Sequence, residues 1–320
     1  MIDLLPISVI IPNYNSAPYI EECLNSILDK NFALPKEIII VDDASTDNSI
    51  EIINRIKNNY PEIIRLIELK NNVGALEARL QGLNFATQEL ISCPDADDIM
   101  SVGALEEAFN VLGEHDMVIM DIYNINENGI RKKMIDLGLL TFPINGFEAC
   151  KLTFNKWKIH EKGIFKREIF LKAYNSLQNK NFYNSDEMVT RNLIYYSNSI
   201  NYCSKAKYFY REHSTQTTKK QQNNVLHHLR SNLELFKFLK NKKYFLEDNI
   251  LLQYMNNQII GKAFFLAKSN GLEPLDINQI LTFLKNINCF DIKNNMLSCI
   301  KCNLLKLYFL KYNLFKLEIK

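Results

Sequence analysis

Leu90-Ile91-Ser92-Cys93-Pro94-Asp95-Ala96-Asp97-Asp98 decides the fold, read beside Glu37-Ile38-Ile39-Ile40-Val41-Asp42-Asp43. Each stretch is a short apolar run that ends in an acidic cluster. Runs of this kind, bounded by turn residues, read as buried strands. In an open α/β sheet, ligands bind beside the carboxyl ends of the strands. The two clusters therefore face one crevice. Asp95-Ala96-Asp97-Asp98 sets up to three negative charges on four residues, and a cation offsets that repulsion. Carboxylate oxygens of this kind suit Mg²⁺ or Mn²⁺, and such a cation in turn holds a diphosphate. Aspartate is also a common turn and cap residue, and Asp47 or Ser45 reads as a cap for a helix starting near Asn48. The pairing of two clusters at two strand ends is what points to a site.

Working outward, residues 7–11, 37–41, 63–69 and 90–93 read as strands, the first broken by Pro12. Residues 17–28 form an amphipathic helix, with Ile20, Leu24, Ile27 and Leu28 on one stripe. Ile50, Ile53 and Ile56 mark a second helix, and residues 73–85 a third. This βαβαβαβ order predicts a doubly wound, largely parallel sheet. A helix over 103–112 and a strand over 117–123 follow. No GxGxxG fingerprint and no Walker lysine loop follows any of these strands, which argues against nicotinamide, flavin and P-loop chemistry. The pattern loosens over 124–182, where one helix is expected at 166–174. Residues 186–196 read as a helix and 202–211 as a strand. Helices are expected over 226–239, 245–268 and 277–284, giving a catalytic domain at 1–218 and a helical region at 219–320.

The composition, 47% hydrophobic and 23% charged, is that of a globular chain with a sizeable core. A net charge of +2 carries no nucleic-acid signature, so no nucleic-acid partner is expected. Seven cysteines at irregular spacing outline no disulfide framework and point to a reducing compartment. Cys299-x-x-Cys302 has no partner pair and no nearby histidine, so no zinc site is expected there. With no basic-then-apolar leader and no run of about 18 apolar residues, a cytoplasmic protein is expected. Residues 293–320 carry six lysines against Glu318, a net of +5, interleaved with Leu, Tyr and Phe. Lysine stems that snorkel would let this tail rest on an anionic membrane surface; the alternative is packing on its own domain.

Together these segments resemble a family 2 glycosyltransferase of the GT-A fold, the nucleotide-diphospho-sugar transferase architecture. Ser8-Val9-Ile10-Ile11-Pro12-Asn13-Tyr14-Asn15 is similar to that family's first strand and loop. Val41-Asp42-Asp43-Ala44-Ser45-Thr46-Asp47 resembles its second-strand motif. Asn72-Val73-Gly74, Ala78-Arg79 and Gly82 resemble the stretch before the metal motif, and Asp95-Ala96-Asp97-Asp98 the metal motif itself. The resemblance covers about residues 5–215.

It implies a nucleotide-sugar donor, a Mn²⁺ or Mg²⁺ ion and inversion at the anomeric carbon. Asp43 is then expected to accept a hydrogen bond from the base, usually uracil, with Pro12 and Tyr14 lining the nucleoside pocket. Asn72 and Gly74 come near the nucleotide, and Arg79 reaches the donor. Asp95, with Ala96 beside it, and Asp97 bracket ribose and metal; either Asp97 or Asp98 is the direct ligand. The family's base lies in a Glu-Asp pair ahead of a helix. Here that place reads Ser185-Asp186-Glu187, so Asp186 matches best and Glu187 is its substitute. Tyr210-Arg211-Glu212-His213 resembles the end of the catalytic domain, with Arg211 toward phosphate and His213 toward metal or diphosphate. Trp157 and His160-Glu161-Lys162 stand where an acceptor platform would lie. The helical tail resembles those of bacterial lipooligosaccharide and capsule enzymes.

The expected function is metal-dependent, inverting transfer of a hexose or N-acetylhexosamine from a UDP-sugar to a surface-glycan or lipid-linked glycan acceptor, at the inner face of the inner membrane. One rival is a catalytically inactive nucleotide-sugar-binding subunit, motivated by serine at position 185. A sugar nucleotidyltransferase is the other; it would carry a Gly-rich basic loop where Asn13-Tyr14-Asn15-Ser16 stands.

Overall fold

The computed structural model describes residues 3–126, 128–153, 157–176 and 185–213, with 229–230, 232–233, 259–263, 265–266 and 280. The chain divides into two compact units, one of residues 1–176 and 189–216, the other of 177–188 and 217–320.

In the first unit, β1 (Leu4–Asn13), β2 (Leu34–Asp42), β3 (Ile64–Glu68) and β4 (Leu90–Ser92) pair in parallel in the order β3-β2-β1-β4. β1 and β2 are buried almost without interruption, as expected of strands covered on both faces. Successive side chains point to opposite faces. Val9, Ile11, Ile38 and Ile40 join the main core with α1 (Ile20–Ile27), α2 (Ser49–Lys57) and α4 (Ala104–Asn110). On the other face lies α3 (Ala75–Phe85), which comes so close at Gly82 that a Cβ there would meet Ile10 Cγ2 at 2.5 Å and Val41 Cγ2 at 3.2 Å.

β1 runs two residues past the expected end, through Pro12. Proline has no N–H to give, but β4 pairs only with Ile7–Val9, so no ladder bond is lost on that side. Beyond β4 the sheet becomes mixed. β8 (Gly163–Lys166) lies antiparallel to β4, β6 (Met117–Ile125) antiparallel to β8, and β9 (Ile200–Arg211) parallel to β6. The two-residue β5 (Ile99–Met100) closes that edge on β9, and β7 (Arg131–Lys133) pairs with β6. Within the loosely patterned stretch the helices are α5 (Gly146–Lys151), capped by Asn145 Oδ1 on the Glu148 N–H at 3.0 Å, and α6 (Arg167–Asn175). α7 (Ser185–Tyr196) follows.

Two reversals in strand direction put the carboxyl ends of β1, β2, β4, β6 and β9 on one rim. The strand order reverses between β1 and β4, and there an α/β sheet opens its crevice.

In the second unit, Leu229, Leu233, Ile259, Ile260, Ala263, Leu266 and Ile280 are buried helical residues. The rest of the three helices expected beyond 220, and the basic tail 293–320, lie outside the described residues.

Candidate active site

The rim carries two carboxylate-built loops. After β2, Asp42 is 1% exposed and builds its own turn. It accepts from Asn13 Nδ2 at 2.6 Å, Ser45 Oγ at 2.6 Å and the Ser45 N–H at 2.9 Å. Asp43 instead ties the end of β2 to the chain entering α3. Its two oxygens accept the N–H groups of Val73 at 2.7 Å and Gly74 at 2.8 Å. Gly74 has φ +89°, a left-handed backbone that favours glycine and turns the chain into α3. Asn72 Nδ2 donates to Asp43 O at 3.3 Å. The structure thus joins Asp43, Asn72 and Gly74 in one cluster. A carboxylate has about four lone-pair sites, so Asp43 keeps acceptor capacity for a base. Pro12 is buried in β1, and Tyr14 stands 50% exposed just beyond it.

After β4, the acidic residues turn to different partners. Asp95 is clamped between two cations: Arg79 of α3 on Oδ1, and Lys162 Nζ on Oδ2 at 2.8 Å. Burial alone would raise this carboxyl, but the Lys162 and Arg79 charges outweigh it and hold it well below the usual range. Lys162 in turn is raised by Asp95 and then Glu161, against the opposing effect of burial. The backbone N–H of Asp95 donates to Tyr208 Oη at 3.0 Å, and Tyr208 Oη donates to Asp98 Oδ2 at 2.6 Å. Asp98 is fully buried, and its other oxygen accepts the Arg211 N–H at 2.9 Å. Burial, then the charges of Asp95 and Asp97, push Asp98 up to about 8. The Ala96 side chain is packed in the main core.

Asp97 is partly exposed, its side chain 30% accessible against 26% for Asp95, while Asp98 is buried. Its Oδ2 lies 3.0 Å from His213 Nε2, whose ring packs at a 33° tilt against Tyr19 with centroids 4.4 Å apart. Arg211 Nε donates to Asp97 O at 2.9 Å, and its guanidinium also pairs with Glu22 of α1.

A divalent cation fits this chemistry at Asp97 and His213, one carboxylate oxygen and one imidazole nitrogen on adjoining loops. Mg²⁺ and Mn²⁺ are commonly held by few protein groups plus phosphate oxygens and water. Both oxygens of Asp95 and of Asp98 meet protein partners, whereas the Asp97 carboxylate meets His213 through Oδ2. Among the described residues no three His, Cys, Asp or Glu side chains converge as a metal cage.

Two participants had little sequence signal. Lys162, expected on an acceptor platform and found on Asp95, directly precedes β8, whose apolar Ile164-Phe165 pair behind a glycine is too short to stand out in a loose stretch. Tyr208 lay in an expected strand, but nothing in its spacing announced the bond to Asp98. Asp186 and Glu187 begin α7 and fall in the second unit; the Asp186 side chain lies outside the described residues.

The pattern that defines "Glycosyl transferase family 2" matches residues 8–177, more than half of the chain, and the chain belongs to that family. It is 33% identical over 192 residues to a poly(ribitol-phosphate) beta-glucosyltransferase of Bacillus spizizenii, over 53% of this chain and 30% of that protein. It is 26% identical over 283 residues to the glycosyltransferase YibD of Escherichia coli K12, over 84% and 80%. The chain therefore spans less than a third of the Bacillus relative but most of YibD. Among solved structures, residues 1–349 of S. aureus TarS in complex with UDP-GlcNAc superpose with a TM-score of 0.66. That match is 19% identical and covers 90% of this chain and 83% of that one; at such identity it speaks for the fold, which is of the GT-A type.

Proposed function

We propose that the protein is a metal-dependent, inverting transferase that moves a hexose or N-acetylhexosamine from a UDP-sugar to a hydroxyl of a bacterial surface glycan. The observation that carries this is the loop after β4, at the topological switch point. There Asp97 and His213 stand 3.0 Å apart, beside a cation-clamped Asp95. Family membership supports the reaction class, and the complex of TarS with UDP-GlcNAc supports a UDP-sugar donor.

Asp43, Pro12 and Tyr14 hold the nucleoside, with Asn72 and Gly74 closing over it. Arg79 and Lys162 keep Asp95 ionised and fix it beside the place proposed for the ribose. Asp97 and His213 hold Mg²⁺ or Mn²⁺, which when bound offsets charge on the departing diphosphate. Arg211 fixes this loop through Asp97 O and stands near the phosphates as a second positive charge. Asp186, with Glu187 as the alternative, takes the proton of the acceptor hydroxyl from the side opposite the leaving group.

Poly(ribitol-phosphate) stands in the name of the Bacillus relative, and for this chain a lipooligosaccharide, capsule or other lipid-linked glycan is the class of acceptor proposed. No helix among the described residues is long and apolar enough to cross a membrane. The place proposed is the inner face of the inner membrane, reached through the basic tail.

Hydrolysis of a panel of UDP-sugars in Mn²⁺, with and without chelator, tests the reading. Slow, chelator-sensitive release of UDP from one sugar supports it. Release that is indifferent to chelator removes the metal, and no release from any sugar in the presence of acceptor glycans removes the donor class.

A further inference from the structure

We infer that the Trp157 ring is a stacking platform for a pyranose of the acceptor, fixed from behind by Arg191. The inference rests on the transferase reading and names a subsite within it. The rim runs in strand order from β2, where Asp43 would meet the base, through β1 to β4, where Asp97 would meet the diphosphate, and then to β8. Neighbouring strands are about 4.8 Å apart, so each step moves the reaction one strand further along. The acceptor end of the crevice then falls at the amino end of β8. Ser92 Oγ donates to Gly163 O at 2.8 Å and ties that end to the end of β4.

Trp157 lies on the loop that leads into β8, and Lys162 on the same loop touches Asp95. Five residues separate them, a reach of at most about 17 Å. Short oligosaccharides bridge that distance. The loop's Ile159 and His160 are buried, yet Trp157 is 38% exposed. Its ring is nevertheless held. The Arg191 guanidinium lies 4.6 Å over it and is itself 6% exposed. Arg191 Nε donates to Thr153 Oγ1 at 3.1 Å and Nη2 to Thr153 O at 3.4 Å, while Thr153 Oγ1 donates to Cys150 O at 2.7 Å. A broad apolar ring that is oriented before its ligand arrives loses little freedom on binding. It suits the C–H face of a sugar, and its N–H can meet a hydroxyl.

Trp157 is the only tryptophan of the chain, so intrinsic emission reports on this ring alone. The full-length protein, with UDP and Mn²⁺ present, is titrated with methyl glycosides and with di- to tetrasaccharides of glucose, galactose and N-acetylglucosamine. A saturable emission change at millimolar concentration of at least one saccharide is expected. Trp157→Ala should raise the acceptor KM ~10-fold with kcat much less affected, and Trp157→Phe should recover most of the loss. Emission that no saccharide alters overturns the proposal, as does an unchanged acceptor KM in Trp157→Ala. A shift produced by phosphatidylglycerol vesicles and by no saccharide assigns the ring to a lipid surface instead. Emission is read whether or not UDP-sugar turns over, so a saccharide response without turnover would refute the transferase reading and leave the platform standing.

Discussion

Lys162 Nζ lies 2.8 Å from Asp95 Oδ2, on the opposite side of that carboxylate from Arg79. The two cations come from separate elements, α3 and the entry to β8, and both side chains are 13% exposed. Asp95 is thus ionised and fixed without any metal. Charge-assisted bonds of this kind contribute more than neutral ones. Lys162→Met leaves the carboxylate tethered on one side only. The expected result is a donor KM raised ~10-fold or more, with kcat less affected and Lys162→Arg recovering much of the loss. A donor KM equal to wild type would show that Arg79 alone orients Asp95.

Asp98 and Asp97 should separate under mutation. Asp98 is fully buried and answers two donors, Tyr208 Oη and the Arg211 N–H. Asp98→Ala strands both, a cost of about 1–3 kcal/mol for each unsatisfied buried group. Its midpoint in urea should fall clearly, whereas Asp97→Ala, at a partly exposed side chain, should fold with wild-type stability. Equal loss of stability in the two variants would contradict the division of labour drawn between them.

His160 gives the fold a pH dependence. Burial, opposed by Glu161, lowers it to about 4, below the ordinary histidine value. Its Nδ1 accepts the Lys162 N–H at 3.0 Å, which also requires the neutral ring. The unfolded chain therefore binds a proton first as pH falls. The contribution to stability is complete above about pH 6.5, is lost as pH falls from there towards 4, and changes no further below. The full span is of order 3 kcal/mol. Urea titrations at pH 7 and pH 5 should show about 2 kcal/mol of this loss in the wild type and a smaller one in His160→Gln.

Gly82 is where α3 presses on the sheet. Adding a methyl group there drives Cβ to 2.5 Å from Ile10 and forces helix or strand to move. Gly82→Ala should destabilise by about 1–3 kcal/mol despite alanine's better helix propensity. Unchanged stability would mean that Ile10 can swing aside.

The front of the fold was legible because its strands are apolar runs and its first two helices keep an apolar stripe. Ile20, Leu24 and Ile27 of α1 face the core as their spacing predicts. The rear was less legible for a physical reason. β5 and β8 are two and four residues long and take their pairing from neighbours distant in sequence, Phe209 and Ile91. No local period encodes such contacts. At the site, the acidic loops announced themselves by charge density, and His213 by its motif. What the sequence could not reveal is which aspartate is turned outward. That depends on Tyr208 and Arg211, more than a hundred residues on, occupying Asp98.

The central claim is that UDP binds through a divalent cation held at Asp97 and His213. Titration calorimetry of UDP into the wild type and Asp97→Ala, each with Mn²⁺ and then with excess chelator, measures it directly. Wild-type protein should bind UDP at least ~10-fold more tightly with Mn²⁺ than with chelator, and Asp97→Ala should bind with the weaker affinity in both. Wild-type affinity that chelator leaves untouched, or Asp97→Ala affinity that Mn²⁺ still raises in full, would contradict it.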